Sequence, residues 1–446
     1  MGTTRRVVVV GGGMAAARLA QQLGGREGRA HGSWAVTVLG EEPHAPYNRV
    51  LLADVLAGRY APGVLALPRP AEGVAWRTGT RVVRIDRSMR VAVCDDGTSE
   101  AFDALVLATG SNPVLPPLQG LFAPGGAGLP AGVHAFRTLT DCLALGREVR
   151  EGAPAVVIGG GLLGVSAARA LAARGARVVL AQQGEHLMDR HLDAGASALL
   201  RAHLADLGVE VHTECRVRGV RAAAPGGRVT AVELADGYLL AADLVVLACG
   251  VRPRTGLARA AGLATGPRGG IAVDDALRTR TDPDVYALGD CAEHDGVLYG
   301  LAGAAQDQAD VLARVLAGEP GAAYTGTRAL VRLTLPGQEA LPGQEAGPGQ
   351  EADPGQEASA PAGPWAGPWD VAAFGQPDPA PGDDVVQLAD ATRGAYRKIV
   401  VRGDRLRGGI LVGDLGSVGT LARAWEGDEP LPATPLLHLL THDGGY

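Results

Sequence analysis

The chain has 446 residues and a formal net charge of −7, with 46% hydrophobic and 20% charged residues. This composition excludes wholesale disorder, because it supplies enough apolar material for a large core, and the acidic balance leaves no electrostatic footprint for nucleic acid. The 66 glycines and 29 prolines follow no Gly-X-Y period, so a collagen is excluded as well. A chain of this length favours two or three domains.

The first predicted strand covers residues 6–10, a β-branched run that ends at three glycines and leads into a small-residue helix. The same run could resemble a signal peptide, but the glycines interrupt it and Arg18 follows soon after. We therefore predict strand, turn and helix. We find no run of about 18 uninterrupted apolar residues, so we expect no membrane span.

This first strand, turn and helix carry a dinucleotide-binding pattern. Gly11 makes the tight turn, Gly13 lets a pyrophosphate approach the backbone, and the small Ala16 lets helix and strand pack closely. The phosphate charge then meets the free N–H groups at the helix N-terminus. An acid at the end of the next strand should hold the adenosine ribose, and Glu41 stands there after a polar insertion at residues 24–33.

The same design recurs about 148 residues later, after a predicted strand at residues 155–158. Gly159, Gly161 and Gly164 occupy the three small positions. The ribose acid is replaced by Gln182, whose amide can still bond a ribose hydroxyl but lacks the charge that rejects a 2′-phosphate. The choice between NADH and NADPH therefore stays open.

Three further segments support one family resemblance: residues 103–113, 250–253 and 284–292. Together with the two glycine turns they resemble the pyridine nucleotide–disulfide oxidoreductase superfamily, in its rubredoxin- and ferredoxin-reductase-like branch. The resemblance implies that Asp290 bonds the flavin ribityl chain. Further residues that it implies for FAD are Met14, Ala15, Val83, Thr109 and Gly110, and for the nicotinamide dinucleotide Leu162 and Gly250. Arg49 could pair with a flavin phosphate as a bidentate donor.

A narrower resemblance is to the FAD/NAD module of the assimilatory nitrite reductase large subunit. The segments that carry it are residues 41–43, 47–52, 186–193, 299–301, 396–401 and 408–414. Those large subunits continue into cysteine-rich iron–sulfur and sirohaem regions, which are missing before Tyr446, so we expect no nitrite reduction by this chain alone.

Two further departures concern the flavin and nicotinamide surroundings. Ala53-Asp54 replaces a Ser-Lys pair beside the flavin of many ferredoxin reductases, and Val165-Ser166 stands where relatives often have Glu. Hydride transfer between nicotinamide and flavin needs no protein acid or base. We assign no catalytic residue, which the sequence leaves unknown, and we predict no metal site. The five scattered cysteines fit a reducing compartment, so we expect a cytoplasmic protein.

The predicted fold is α/β, with two Rossmann-like three-layer dinucleotide-binding domains and a small α+β C-terminal domain. The FAD domain is expected at 1–118 and 251–320, a linker at 119–152, the NAD(P) domain at 153–250, and the third domain at 321–446. Four copies of a Pro-Gly-Gln-Glu-Ala repeat predict a disordered insertion at about 336–366 within the last of these.

We predict an FAD-dependent reductase that takes electrons from NADH or NADPH and passes them to a separate redox protein. An iron–sulfur, sirohaem or molybdenum enzyme subunit of nitrate or nitrite assimilation is the expected acceptor. A rubredoxin or ferredoxin reductase and an NADH oxidase are the enzymatic alternatives, and a non-catalytic flavin-binding redox sensor is an alternative of another class. Oligomeric state is left open.

Overall fold

The computed structural model describes residues 4–24, 34–68, 73–122, 128–224, 226–328, 330–335, 369–413, 415, 418–433 and 435–440. The predicted repeat insertion at 336–366 and residues 25–33 of the first polar insertion lie outside this described part. Among the described helices, none is long and apolar enough to cross a bilayer.

The first unit is a parallel sheet with β1 at its centre, hydrogen-bonded to β2 on one side and β7 on the other. Val7–10 of β1 are buried, as expected for a strand covered on both faces. An antiparallel ribbon, β4-β5-β6, stands beside this sheet. The elements are β1 Arg5–Val10, α1 Met14–Gly24, β2 Trp34–Leu39, α2 Leu52–Leu56, β3 Val74–Arg77, β4 Val82–Asp86, β5 Val91–Cys94, β6 Ser99–Ala101, β7 Ala104–Leu107 and β8 Ser111–Pro113.

The second unit repeats this arrangement with the parallel sheet order β12-β11-β10-β16-β9. Its elements are β9 Val133–Ala135, α3 Leu139–Glu148, β10 Pro154–Ile158, α4 Leu162–Ala172, β11 Arg177–Ala181, α5 Ala194–Asp206, β12 Val209–His212, β13 Val217–Ala222, β14 Val229–Leu234, β15 Leu239–Ala241, β16 Leu244–Leu247 and β17 Val251–Pro253.

The segment 119–152, interpreted from the sequence as a linker, contributes β9 and α3 to this second unit. β9 pairs in parallel with β16 at the edge of the sheet, and Leu139 and Leu145 of α3 are buried. Three residues are too few for a periodic signal, so the strand is recognisable only once β16 lies beside it. The other predicted domain boundaries stay predictions.

The chain then returns to the first unit. β19 pairs in parallel with β7, and α7 packs against α1, where Arg18 and Asp310 form an ion pair at 2.7 Å. β8 and β17 form a short antiparallel ribbon, so the two passages between the units run side by side. The returning elements are α6 Gly256–Ala260, β18 Ile271–Val273, β19 Val285–Ala287, β20 Ala292–His294 and α7 Ala302–Leu316.

The third unit is an antiparallel sheet of order β21-β22-β25-β24-β23, covered on one face by α8. Val371 and Ile410 on its other face join the core of the second unit. The elements are β21 Leu330–Leu335, β22 Trp369–Gly375, β23 Asp384–Asp390, β24 Ala395–Arg402, β25 Arg405–Gly413 and α8 Val418–Glu426. The predicted fold class, two Rossmann-like units with a C-terminal α+β unit, is confirmed.

Candidate functional site

A single cleft of about 2560 Å³ is lined by both glycine turns and by parts of all three units. A pocket for one small ligand usually has about 300 to 1,000 Å³. The cleft is therefore large enough for two extended dinucleotides to meet inside it.

The first glycine turn joins β1 to α1. Gly11 has φ +118°, and a Cβ on it would lie 2.1 Å from the carbonyl oxygen of Ala108, so only glycine fits. A Cβ on Gly13 would meet only the Arg49 guanidinium, at 3.8 Å. The N–H groups of residues 14–16 precede the first intrahelical bond of α1, from Ala17 to Gly13. This open, N–H-lined cradle fits a pyrophosphate.

Met14, Ala15 and Ala16 begin α1 beyond this cradle. Met14 and Ala15 line the cleft, whereas Ala16 is fully buried, as its predicted packing role against β1 requires. Glu41 follows β2 and lies on the same rim, where it is 42% exposed and forms an ion pair with Arg254. Its carboxylate thus lies beside the turn, where it pairs with Arg254.

Val83 reaches the cleft from a bulge in β4. The register of the β4–β5 ladder shifts between Val82 and Arg84, so Val83 is the extra residue, and its side chain is 47% exposed. A bulge leaves the backbone of its extra residue outside the ladder. Its N–H and C=O groups are therefore available to the edge of a flat heterocycle.

Asp290 is held in a half-buried polar cluster. It accepts hydrogen bonds from Arg137 Nη2 at 2.5 Å and from Ser111 Oγ at 2.8 Å, and Arg137 also donates to Ser111 Oγ at 2.7 Å. The carboxylate is held in place by these two donors, as its predicted role as a ribityl acceptor requires. Sequence reasoning missed Arg137, because it lies in the segment taken as a linker.

Arg49 stands between this cluster and the first glycine turn. It donates to Glu42 at 2.8 Å and to the carbonyl of Arg137 at 3.1 Å, and Tyr47 donates to Glu42 at 2.6 Å. Burial opposes the charge on Arg49, but Tyr47, Glu42 and Asp290 outweigh it and raise its pKa. For Tyr47, burial has the opposite effect and raises the pKa, so the hydroxyl keeps its proton and donates the hydrogen bond to Glu42. Arg49 is thus a permanent cation at the mouth of the cradle, where a phosphate would lie.

Thr109, Gly110 and Gly250 mark the two passages between the units. Thr109 Oγ1 donates to the carbonyl of Arg254 at 2.7 Å, which ties the outgoing passage to the returning one. Gly110 and Gly250 have φ of +68° and +93°. All three line the cleft at the start of the β8–β17 ribbon.

The second glycine turn joins β10 to α4 with the same geometry. A Cβ on Gly159 would lie 2.5 Å from the carbonyl oxygen of Ala248, and one on Gly164 only 1.7 Å from that of Gly159. At Gly161 no atom of the described residues lies within 4 Å of such a Cβ, and the helix begins at Leu162, which lines the cleft. This turn therefore offers a second pyrophosphate cradle.

Gln182 lies at the carboxyl end of β11, where the ribose acid is missing. Its Oε1 accepts from the Gly160 N–H at 2.8 Å, and its Nε2 donates to the carbonyl of His186 at 3.3 Å. The buried amide thus connects the glycine turn to the segment that follows β11. The neighbouring Gln183 is exposed and lines the cleft. Contact between Gln182 and a ribose stays a prediction.

The positions that depart from the family pattern have structural partners. Ala53 is buried and lines the cleft, whereas Asp54 accepts from Arg169 of α4 at 3.1 Å. Val165 is fully buried, and the Ser166 hydroxyl donates to the carbonyl of Leu162 at 2.8 Å. Asp54 thus connects α2 of the first unit to α4 of the second, whereas Ala53 and Ser166 line the cleft.

The N-terminus of α7 also opens towards the cleft. Leu301 precedes the helix and provides no side-chain cap, and Tyr299, Gly300 and Ala302 line the cleft. Uncapped N–H groups at a helix start favour a negative charge. Within the described ranges, no group of three or more His, Cys, Asp or Glu could hold a metal ion.

Two parallel-sheet units, each with a glycine turn opening into one shared cleft, define a dinucleotide-dependent flavoprotein reductase. The chain belongs to the pyridine nucleotide-disulphide oxidoreductase family, whose model matches residues 5–309. Residues 369–427 match the rubredoxin NAD+ reductase C-terminal domain. The predictions of this family, of an oxidoreductase, and of FAD with a nicotinamide dinucleotide as cofactors are confirmed.

Curated relatives and solved structures agree with this assignment. The nitrite reductase [NAD(P)H] large subunit of Klebsiella oxytoca is 34% identical over 96% of this chain and 41% of its own length. The assimilatory nitrate reductase electron transfer subunit of Bacillus subtilis is 30% identical over 92% and 48%. The chain thus spans less than half the length of these relatives. A ferredoxin reductase structure from Rhodopseudomonas palustris has the same fold, with TM-score 0.78, 24% identity and coverage of 99% and 98%.

Proposed function

We propose that this protein takes electrons from NADH or NADPH onto FAD and passes them to a separate redox protein of nitrate or nitrite assimilation. The observation that carries the proposal is the shared cleft, in which both glycine turns open towards the same space. The two relatives named above support the assimilatory role, because one is an electron transfer subunit and the other a nitrite reductase large subunit.

When FAD and a reduced nicotinamide are bound, the pair supplies hydride transfer followed by electron release, which requires no proton-transferring side chain. The first turn and Arg49 would hold the FAD pyrophosphate, Glu41 its adenosine ribose and Asp290 its ribityl chain. The second turn would hold the nicotinamide dinucleotide. The remaining task of the chain is to orient the two groups and to exclude water.

Anaerobic mixing with NADH and with NADPH tests the first half of this proposal. We expect the absorbance of oxidised FAD at about 450 nm to bleach within seconds with at least one of the two nicotinamides. A flavin that stays oxidised with both would refute the proposal and favour a redox sensor.

The acceptor is tested by reoxidation of the reduced protein. We expect electrons to pass faster to an iron–sulfur or sirohaem enzyme of nitrogen assimilation than to oxygen, rubredoxin or ferredoxin. The match of the third unit to the rubredoxin NAD+ reductase C-terminal domain favours a second candidate, a rubredoxin or ferredoxin reductase. Faster reoxidation by rubredoxin or ferredoxin would select that candidate, and faster reoxidation by oxygen would select an NADH oxidase.

We further propose a cytoplasmic location. All five cysteines are free, which suits a reducing compartment. Fractionation of the source cells with a periplasmic marker would test it, and recovery with the marker would contradict it.

A further inference from the structure

The loop of residues 182–193, which connects β11 to α5, is fastened to the second glycine turn. The Met188 N–H donates to the carbonyl of Gly160 at 2.9 Å, and Gln182 accepts from the Gly160 N–H at 2.8 Å. Met188 has φ +51°, a left-handed conformation that a residue with a Cβ adopts only when its surroundings enforce it. The loop therefore needs restraint from elsewhere.

That restraint comes from Asp193 at the end of the loop. Its Oδ1 accepts from the Ala196 N–H at 3.1 Å and caps α5, which fixes where the helix begins. Its Oδ2 accepts from Tyr396 Oη at 2.6 Å and from Lys398 Nζ at 2.9 Å, both on β24 of the third unit. One carboxylate thus connects the second unit to the third.

Lys398 is the only lysine in the chain, and it is only 8% exposed. Burial alone would raise the pKa of Asp193, but the hydrogen bonds from Tyr396 and Lys398 outweigh it and lower the pKa. The carboxylate therefore remains charged inside the interface between the two units. A buried ion pair adds little net stability compared with apolar packing, but it specifies one geometry when both partners are present.

We propose that Lys398 and Tyr396 are positioning residues for the nicotinamide dinucleotide, acting through Asp193 and the 182–193 loop on the second glycine turn. The third unit then takes part in nicotinamide binding through the 182–193 loop. The inference rests on the proposed function, because it assigns the second turn to that dinucleotide.

Substitution of the two partners tests the inference by stopped-flow reduction of the flavin. In Lys398→Met and in Asp193→Asn, which retains a capping oxygen, we expect the Kd of NADH to rise about tenfold. The limiting rate of reduction and the FAD content should stay within about twofold of wild type, because the reacting atoms and the first turn are untouched. A double variant with both Lys398→Met and Asp193→Asn should bind NADH no more weakly than Lys398→Met alone.

Arg402→Met is the matched control. Arg402 lies on the same strand and pairs with Asp383 at 2.6 Å within the third unit, so its loss should leave the Kd of NADH unchanged. A Kd shifted equally by Arg402→Met would reduce the effect to general weakening of the third unit and would overturn the inference.

The rate at which Lys398 is acetylated gives a second measurement on the wild-type chain. It tests the inference even if a variant does not fold. If the contact of Lys398 with Asp193 favours NADH binding, then NADH must favour that contact by the same factor. Saturating NADH should therefore slow acetylation of Lys398 by about tenfold, as measured by mass spectrometry of its peptide.

Two negative results have different meanings. Wild-type protein that is reduced by NADH, with unchanged Kd in both variants and unprotected Lys398, would overturn this inference alone. Wild-type protein that responds to neither NADH nor NADPH would overturn the proposed function, and this inference with it.

Discussion

Replacing Gly164 by alanine should separate nicotinamide binding from flavin binding. The new Cβ would lie 1.7 Å from the carbonyl oxygen of Gly159, so α4 must retreat from the second glycine turn by roughly 1.5 Å to reach normal contact. Overpacking costs about 1 to 3 kcal/mol, and we expect the upper limit because a backbone atom cannot rotate away. Better helix propensity offsets about 1 kcal/mol, leaving a net loss of about 2 kcal/mol.

The functional effect should exceed the loss of stability. Displacing the N-terminus of α4 removes N–H groups from the second cradle, and misplacement of about 1 Å can cost roughly a hundredfold in rate. We expect flavin reduction at subsaturating NADH to slow by that factor, while FAD per chain stays unchanged because the first turn belongs to another unit. Stopped-flow absorbance and urea unfolding measure the two effects.

Gly419→Ala provides the control, since it makes the same chemical change inside a helix. No atom of the described structure lies within 4 Å of the added Cβ in α8, so stability should rise by up to about 1 kcal/mol with no change in the NADH reaction. Gly164→Ala protein with wild-type reduction kinetics and an unchanged urea midpoint would refute the packing argument. Loss of FAD together with the NADH response would refute the independence of the two cradles.

Three further outcomes are expected. Arg137→Met should leave Asp290 with an uncompensated charge, lowering the free energy of unfolding by about 2 to 4 kcal/mol in urea titrations and reducing the FAD retained through gel filtration; full FAD retention would contradict the cluster's role. Burial lowers the pKa of His203 to about 4, so its contribution to stability is complete above about pH 6.5 and lost as pH falls towards 4. In His203→Gln, the difference between the free energies of unfolding at pH 7 and pH 5, measured with urea, should be smaller than in wild type. His438→Gln, a substitution at an exposed histidine, should leave that difference unchanged. Burial also raises the pKa of Cys249 to about 11, so iodoacetamide at pH 8 should leave its peptide unmodified by mass spectrometry, and alkylation there would contradict it.

The glycine turns could be predicted because their signal is local. Strand, turn and helix occupy fewer than about twenty consecutive residues, and each small residue has a steric reason for its position. The structure adds the atoms that impose those reasons, such as the carbonyl of Ala108 against Gly11. The fold class followed from the recurrence of this signal and from the family resemblance.

The partners of the predicted residues could not be found in the same way. Arg137 reaches Asp290 across 153 positions of sequence, and it follows β9, a strand of three residues that has no periodic signal. Lys398 reaches Asp193 across 205 positions. Such contacts depend on how sheets and helices pack, and no spacing of residues in a single sequence indicates which distant residues will meet.

Gln182 illustrates a different limit. Its position at the end of β11 could be predicted, but the hydrogen bonds of its side chain to the backbone of Gly160 and His186 could not, although the residue lines the cleft. A residue type at a motif position indicates what the side chain can bond, whereas the rotamer depends on which backbone groups nearby lack partners. The loop at 182–193 supplies one such group, the carbonyl of His186, and the glycine turn supplies the other, the Gly160 N–H.

The departures from the family pattern at Ala53-Asp54 and Val165-Ser166 are compatible with reductase chemistry because of where the remaining charges lie. Asp54 ties α2 of the first unit to Arg169 on α4, and Asp193 ties α5 to Lys398 on β24. Each pair joins two units instead of facing the shared cleft. Since hydride transfer needs distance and alignment but no acid or base, charges that fix the units against one another are the ones that this reaction requires. Flavin reduction at subsaturating NADH should therefore respond more strongly to breaking these connections than to changing the polarity of Ser166.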